Sequence, residues 1–477
     1  EDLGINLEAK FIALGGPKYE TKLNLAIASN DLPDVMTLTN ATQFSKLLNA
    51  GKLEDLTEAY DKFLSPLARK YYEADGGTIK SWGTAGGRIY GMARGSISTQ
   101  NYRLIHIRKD WREDLGIPEP KTMNDVLAMA EAFKAVDPDN RFGISITKDI
   151  LDNGMSDMTG IANSLGAYPR RWVEKNGKLV YGSVQPEMKD VLAVYRDLYA
   201  KGLIDPEFPV KDGGASAPAL TNSKVGIILG DFWLESWPLN SLFDSEGVDW
   251  ELYPILPMEG YQGKVMVQAP NSPRQMYAVR KGFEYPEAFF KIMNYQVMKL
   301  NDPEEAETDK FHSDGEYAYH MFQPFYSGYS PLTVNLDSNP NVTNAIDKND
   351  TSYLVTPHDH IQYERVKRYV DAVDAGAKPA PSDWVSYKFF YGEKSSFGVL
   401  NQYFHQKQAF VSPATGIETD EMARRQGSLN QVEEQIYVEI ITGKKPLDAF
   451  DGWVEDWTNL GGAVIEYQYD MAGLGSI

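Results

Sequence analysis

Short apolar runs of strand length take turns with longer amphipathic stretches along most of this chain, and that alternation is what most limits its fold. Asn6–Ile12 alternates polar and apolar and reads as a strand. The spacing predicts a helix over Tyr19–Ala28, with Leu23 and Ile27 on one face. Asp34–Thr39, behind Pro33, suits a buried parallel strand, and Arg103–Arg108 a second strand. Pro120–Thr122 opens a helix in which Thr122 caps and Asp125 answers three residues on. From Pro186, the residues Met188, Val191, Leu192, Tyr195, Leu198 and Tyr199 form one helical stripe that Gly202 ends. Val225–Leu229 and Tyr277–Arg280 read as strands, the latter followed by a helix from Pro286 with Phe289, Ile292, Met293 and Gln296 in register. The carboxyl third reads as helices over Val432–Thr442, closed by Gly443, and Pro446–Asn459, which carries Leu447, Phe450, Trp453 and Trp457, the two tryptophans being assigned to core. Residues 301–316 and 335–351 are polar and read as surface loops. The pattern predicts an α/β protein. At 477 residues one doubly wound sheet is too small, so two lobes with parallel-rich sheets are expected.

Charge narrows the function. With 47 Lys and Arg against 67 Asp and Glu, the formal net charge is −20. A field of that sign repels phosphate backbones and anionic lipid, so nucleic acid and membrane surfaces are poor partners. Cysteine is absent, which removes disulfides, thiolate metal sites and cysteine nucleophiles. No apolar run approaches the ~18 residues of a membrane span. The chain opens Glu1-Asp2-Leu3-Gly4 without a signal peptide or Met, so it reads as processed or trimmed.

Enzyme signatures are weak. There is no H-E-x-x-H, no G-x-S-x-G and no Walker loop. With 67 acids, carboxylate pairs occur at every spacing and identify nothing. His358-Asp359-His360 ligates a metal only from a strand or loop, and a surface loop is the preferred reading. Aromatics, by contrast, cluster. Phe325, Tyr326 and Tyr329 fall in one Gly/Ser/Pro-bearing segment, and Trp384 and Tyr391 in another. Trp233 and Trp237 lie in Gly230–Pro238, directly after a strand. A sugar ring has an apolar C–H face and a hydroxyl rim, so flat aromatic faces beside Asn, Asp, Arg and Gln suit it; each stacked ring supplies ~0.5–1.5 kcal/mol beyond burial. For any single aromatic, core packing is the competing reading. Trp172, before a hairpin, is assigned to structure. Trp233, Trp237 and Trp384 are placed beside loops at strand ends, where clefts form.

Polar candidates follow the same logic. Asn30 and Asp31 occupy a helix-to-strand turn, where turn chemistry is an equal explanation. Trp82 sits on a Gly-rich loop. Asn101 and Tyr102 precede the Arg103 strand, and Asn271 and Arg274 lie at a second expected crossing between lobes.

From Leu23 onward the sequence resembles family 1 of the extracellular solute-binding proteins of bacterial ABC transporters. It is most similar to the long lipoprotein branch that includes alginate- and oligosaccharide-binding proteins. The stretches that carry the resemblance are Lys22–Val35, Gly87–Gly91, Ile105–Trp111, Leu115–Pro118, Asn176–Gly182, Tyr199–Phe208, Tyr285–Ala288 and Trp453–Gly462. Their order and spacing, rather than any one motif, are distinctive. The family's first strand and lipid-attachment cysteine are missing, so the amino end looks cut. Branch members often carry an EF-hand-like calcium loop before the equivalent of Phe142-Gly143. Here Asp137–Gly143 is too short to supply the oxygens, a turn is preferred, and no cofactor is expected.

The resemblance implies a periplasmic-binding-protein-like (type II) fold, with lobes at 1–102 plus 272–322 and 103–271 plus 323–477. It implies a receptor without covalent chemistry that closes on an oligosaccharide and presents it to permease subunits served by a cytosolic ATPase. A monomer at the extracellular face of the membrane, or in a periplasm, is the expectation, held only through a lipid anchor absent from this sequence. A polysaccharide-degrading enzyme and a receptor for a non-sugar solute such as a peptide are the alternatives. The net charge argues against acidic sugars, although Arg170-Arg171 is a potential receiver of an acid group.

Overall fold

A computed structural model describes residues 2–13, 16–94, 101–151, 153–269, 275–302, 304–311, 319, 325, 333–413 and 420–465. Contacts divide the chain into two compact units: 1–98 with 271–332 and 415–424, and 99–270 with 333–414 and 425–477. The expected boundaries differ from this: the contacts put 271, 323–332 and 415–424 with the first unit, and 99–102 with the second. Tyr102 explains the last of these locally, since its ring lies edge-on to Tyr403 at 6.1 Å and Tyr403 Oη donates to Arg103 O at 3.0 Å.

The first unit is built on a three-stranded sheet, in which Met276–Val279 lies between Val35–Leu38 and Met92–Ala93. Both pairings are antiparallel, with Val35 opposite Val279 and Met276 opposite Ala93. Helices Gly16–Ser29, Ala41–Asn49 and Pro286–Asn301 accompany it. The expected stripe of the last, Phe289, Ile292, Met293 and Gln296, is buried. With Met36, Leu38, Tyr60 and Tyr72, the ring residues Phe289 and Phe290 belong to the unit's core.

The second unit holds a four-stranded sheet in the order Trp250–Tyr253, Leu104–Arg108, Val225–Gly230, Phe142–Ile144. Its two inner strands are buried at every residue, as an apolar run covered on both faces must be. Gly226 is required there, since a Cβ would stand 2.3 Å from Phe133 Cδ2. Helix Met123–Val136 starts on the capping box of Thr122 and Asp125 that the sequence signals. Helix Glu187–Ala200 buries Met188, Val191, Leu192, Tyr195 and Leu198.

Four expectations are corrected. The sheets are not parallel-rich: among the described residues parallel pairing is confined to Phe142–Ile144 with Val225–Gly230 and Val267–Gln268 with Ala409–Phe410. These strands are not joined by short helical crossovers of the kind that set neighbours parallel; their partners lie more than a hundred residues apart, so the alternation of elements does not fix their direction. Asn6–Ile12 is not a strand; Leu7 and Ile12 are exposed, so alternation finds no face to bury. Residues 335–351 are not a loop: Val334–Lys348 is a helix with Pro340 inside it. Asn339 explains the override, because its Nδ2 donates to Phe390 O, Gly392 O and Ser395 Oγ at 3.0–3.1 Å.

His358 is the fourth. It lies in the first turn of helix Pro357–Asp374, whose capping box is Thr356 and Asp359, rather than in a surface loop. Its ring meets Phe390 edge-on at 5.4 Å, and its Nε2 is buried without a hydrogen-bond partner. Burial pushes its pKa down to about 4, with Asp359 opposing and Arg365 adding to the shift. In the unfolded chain a histidine protonates near ~6.5. Between the two values the unfolded state holds more protons, so stability falls as pH drops through that window, by up to about 3 kcal/mol. Denaturant unfolding of the wild type and His358→Leu between pH 7 and pH 4 measures this. The variant's decline is expected to be shallower; parallel curves refute the assignment.

Candidate functional site

Strand Val225–Gly230 runs into a tight 3₁₀ turn, Phe232–Glu235, that sorts its side chains by direction. Leu234 and Glu235 are buried, and Phe232 packs on Phe397 at 5.1 Å and Phe389 at 5.8 Å. Trp237 is thereby left toward solvent, with Trp233 half-buried against the core behind it. Their indoles lie nearly parallel, 6.3 Å between centroids and 19° between planes, and Trp237 is 47% exposed. This is the open flat surface that a sugar face requires.

Beneath it is a buried polar group that sequence reasoning missed. Trp233 Nε1 donates to Asp231 Oδ2 at 3.2 Å. Asp231 is ion-paired through Oδ1 to Arg103, whose Nε and Nη2 donate to Asp157 at 3.2 and 2.7 Å. Asp157 also accepts from the backbone N–H groups of Asn153 and Thr159 at 2.8 and 2.9 Å. Gly154 lets the layer close, since a Cβ there would stand 2.6 Å from Asp231 Oδ2 and 3.1 Å from Trp233 Cζ2. The one available signal was Asp231 itself, at the strand end two residues before Trp233.

Other sequence candidates are placed elsewhere. Trp384 is not beside a loop: it sits within helix Pro381–Phe390, fully buried, stacked on Phe243 at 4.6 Å and 9°. Trp82, expected on a flexible loop, ends helix Thr78–Trp82 and belongs to the first unit's core. Tyr102 is buried against Tyr403, and burial pushes its pKa up to about 12. Tyr391 stacks on Tyr387 at 5.1 Å, and its Oη donates to Asp347 Oδ1 at 2.7 Å, a bond that pushes its pKa up to about 12. Asn101 is half-buried. Asn271, Arg274, Tyr326 and Tyr329 lie outside the described residues.

Asn30, Asp31 and Phe325 do come together, at a cavity of about 830 Å³ within the first unit. The extended segment Ile5–Lys10 lines it along with Val35, Phe289 and Ile292. Asn30 is there because it ends helix Gly16–Ser29 with φ +55°. The rings are unsuited to stacking a sugar: Phe325 and Phe289 meet edge-to-face at 6.0 Å and 82°. Asp31 is ion-paired to Lys10 at 2.5 Å. The Trp233–Trp237 pair, by contrast, presents an exposed ring face.

Reactive-looking groups of the second unit are closed off. His106 Nδ1 bonds Glu235 Oε1 at 2.8 Å, Ser396 Oγ donates to Glu235 Oε2 at 3.2 Å, and all three side chains are fully buried. Among the described residues no group of three or more His, Asp or Glu side chains is arranged to hold a metal ion. In the short loop after helix Met123–Val136, the Lys134 ammonium binds Pro138 O at 2.5 Å and Arg141 O at 3.1 Å, a cation already seated on the turn's carbonyls.

Residues 3–297 match the family model for bacterial extracellular solute-binding proteins. The chain belongs to this family. Among curated relatives, it is 26% identical over 282 residues to the polygalacturonan/rhamnogalacturonan-binding protein YtcQ of Bacillus subtilis (strain 168), covering 57% of this chain and 53% of that one. It is 28% identical over 274 residues to the fructooligosaccharide ABC transporter substrate-binding protein FusA of Streptococcus pneumoniae serotype 4, covering 53% and 48%. The matches thus span about half the length of these relatives. The solved structure of the alginate-binding protein AlgQ2 without calcium ion superposes with TM-score 0.62 at 15% identity, over 94% of this chain and 89% of that one. That likeness shows the fold: the α/β class that the sequence pattern predicts, in the periplasmic-binding-protein-like form that the resemblance implies. No helix among the described residues is long and apolar enough to cross a membrane.

Proposed function

We propose that this solute-binding protein is the receptor of an ABC importer and captures an oligosaccharide by stacking it on Trp233 and Trp237. The observation that carries the reading is that nearly parallel indole pair, in which the half-buried Trp233 backs a Trp237 that is 47% exposed. The relatives' names support the ligand class, since they bind carbohydrate polymers or their fragments. In this reading the protein works outside the cytoplasm as a monomer, and a transmembrane permease with a cytosolic ATPase receives its cargo. No calcium is called for. Asn101, Asn271, Arg274, Tyr326 and Tyr329 stay in the reading as further contacts; the buried Trp82, Tyr102 and Trp384 do not.

In this reading the receptor does no covalent chemistry: a site that holds substrate and transition state equally well lowers no barrier. Calorimetry of the wild type and Trp237→Ala against an oligosaccharide panel tests the reading. The variant is expected to lose about tenfold or more in affinity, roughly 1.4 kcal/mol, with its melting temperature unchanged. Cleaved products after incubation with the panel refute a pure receptor, and an unaltered variant refutes the placement of the site.

A further inference from the structure

We propose that Glu235 is a positioning residue: held by His106 and Ser396, it fixes the turn that aims the Trp237 ring, and so sets the affinity of the glycan surface. This rests on the receptor reading above. Glu235 has no solvent exposure, and its carboxyl group is tied on both sides. Oε1 meets His106 Nδ1 at 2.8 Å, and Oε2 receives the Ser396 hydroxyl at 3.2 Å. His106 stands on Leu104–Arg108, the strand paired with Val225–Gly230, and its other ring nitrogen lies 3.4 Å from Gly230 O, where that strand ends. Ser396 opens helix Ser396–His405, and its hydroxyl is shared with Phe232 O at 3.3 Å. Beside it, Phe397 packs on the Phe232 ring. Both ends of the Phe232–Glu235 turn are thus fastened to elements far away in sequence. The hold reaches the exposed indole through two residues of backbone: the N–H groups of Ser236 and Trp237 both donate to Trp233 O, at 2.9 and 3.3 Å.

Stability alone gives no reason for a polar set at this place. Hydrogen bonds inside the protein replace bonds to water, and exchanging every partner of such a set for apolar groups of similar shape leaves stability nearly unchanged. What the set supplies is direction, because a hydrogen bond weakens steeply away from its preferred angle. Apolar packing has no such preference and would leave the turn freer to rock. A ring that has to be ordered as its ligand arrives subtracts that ordering cost from the affinity, and a ring already aimed does not. Glu235 touches neither the ligand nor the Trp237 ring in this account; it acts through the turn.

The test compares Glu235→Leu and Glu235→Gln, each alone and combined with Trp237→Ala, by calorimetry with the tightest-binding member of the oligosaccharide panel. Fluorine NMR of the intact chain labelled with fluorotryptophan reads the ring directly, the line lost in Trp237→Ala being that of Trp237. Glu235→Leu is expected to lose about tenfold in affinity. Glu235→Gln keeps an acceptor for His106 and a partner for Ser396, and should recover most of that loss. In the Trp237→Ala background Glu235→Leu should lower affinity no further, because a residue that acts through the ring then has nothing to act on. The Trp237 line should broaden or split in Glu235→Leu and return to its wild-type form in Glu235→Gln. Ser396→Ala, which removes one of the two bonds, makes the same comparison if Glu235→Leu does not fold, with an expected loss of about threefold. Wild-type affinity or an unchanged Trp237 line in the variant overturns the proposal. So does a loss that persists undiminished without Trp237, since it marks an effect on the fold at large. Absence of glycan binding by the wild type overturns the receptor reading instead, and the Trp237 line still decides whether Glu235 aims the ring.

Discussion

Trp384→Ala is expected to cost about 3–5 kcal/mol of stability, the range for emptying a fully buried large aromatic site. The indole is fully buried in a cluster with Leu239, Leu242, Phe243 and Trp250. It lies flat on Phe243, and its Nε1 donates to Asp249 Oδ1 at 3.1 Å. Truncation removes the stacked face, leaves a cavity and strands an acceptor. Urea unfolding followed by tryptophan fluorescence and circular dichroism measures the loss. Trp237→Ala serves as the contrast, because an indole 47% exposed has little burial to give up. A loss below about 1 kcal/mol for Trp384→Ala would falsify its place in the core.

The two tryptophans show how far sequence reaches. Both sit near Pro and Ser or Glu, and composition treats them alike. What separates them is whether the next turn of chain is a helix face or a strand-end corner. Pro381-Ser-Asp-Trp384 opens a helix, and a proline in the first helical turn is a readable signal for it. Where local rules govern, the sequence was legible: the Thr122–Asp125 box, the stripe from Met188 to Leu198 and the all-apolar Val225–Gly230 strand. Strand direction was not, because pairing partners are distant. Met276–Val279 joins Val35–Leu38 across the whole first third of the chain and more. Helix Val334–Lys348 was hidden for a related reason, since its Asn-rich sequence is a poor helix former until Asn339 meets its acceptors on Phe390, Gly392 and Ser395. The candidate site divides the same way. Its aromatic surface follows a recognisable strand, whereas its polar floor joins Arg103 to residues 54 and 128 positions away.

Replacing Asp157 by alanine should be as damaging as losing Trp384, for an electrostatic reason. Asp157 has no solvent exposure and fixes two guanidinium nitrogens and two backbone N–H groups. Asp157→Ala leaves Arg103 with Asp231 as its remaining ion-pair partner and strips the acceptor from the N–H groups of Asn153 and Thr159. Two guanidinium N–H groups and two backbone N–H groups then lose their acceptor inside the protein, and at about 1–3 kcal/mol for a buried donor left unsatisfied the total reaches about 3–5 kcal/mol. Asp157→Asn separates the parts: an amide oxygen still accepts, so the loss should drop to about 1–3 kcal/mol. Because Arg103 also holds Asp231, and Asp231 holds the Trp233 indole, the alanine variant should weaken glycan binding along with the fold. Trp237→Ala, by contrast, should weaken binding alone. Chemical denaturation and calorimetry on the same three variants decide it. An Asp157→Ala protein as stable as the wild type would mean that the guanidinium carries no buried charge into the fold, and the floor beneath the indoles would lose its role.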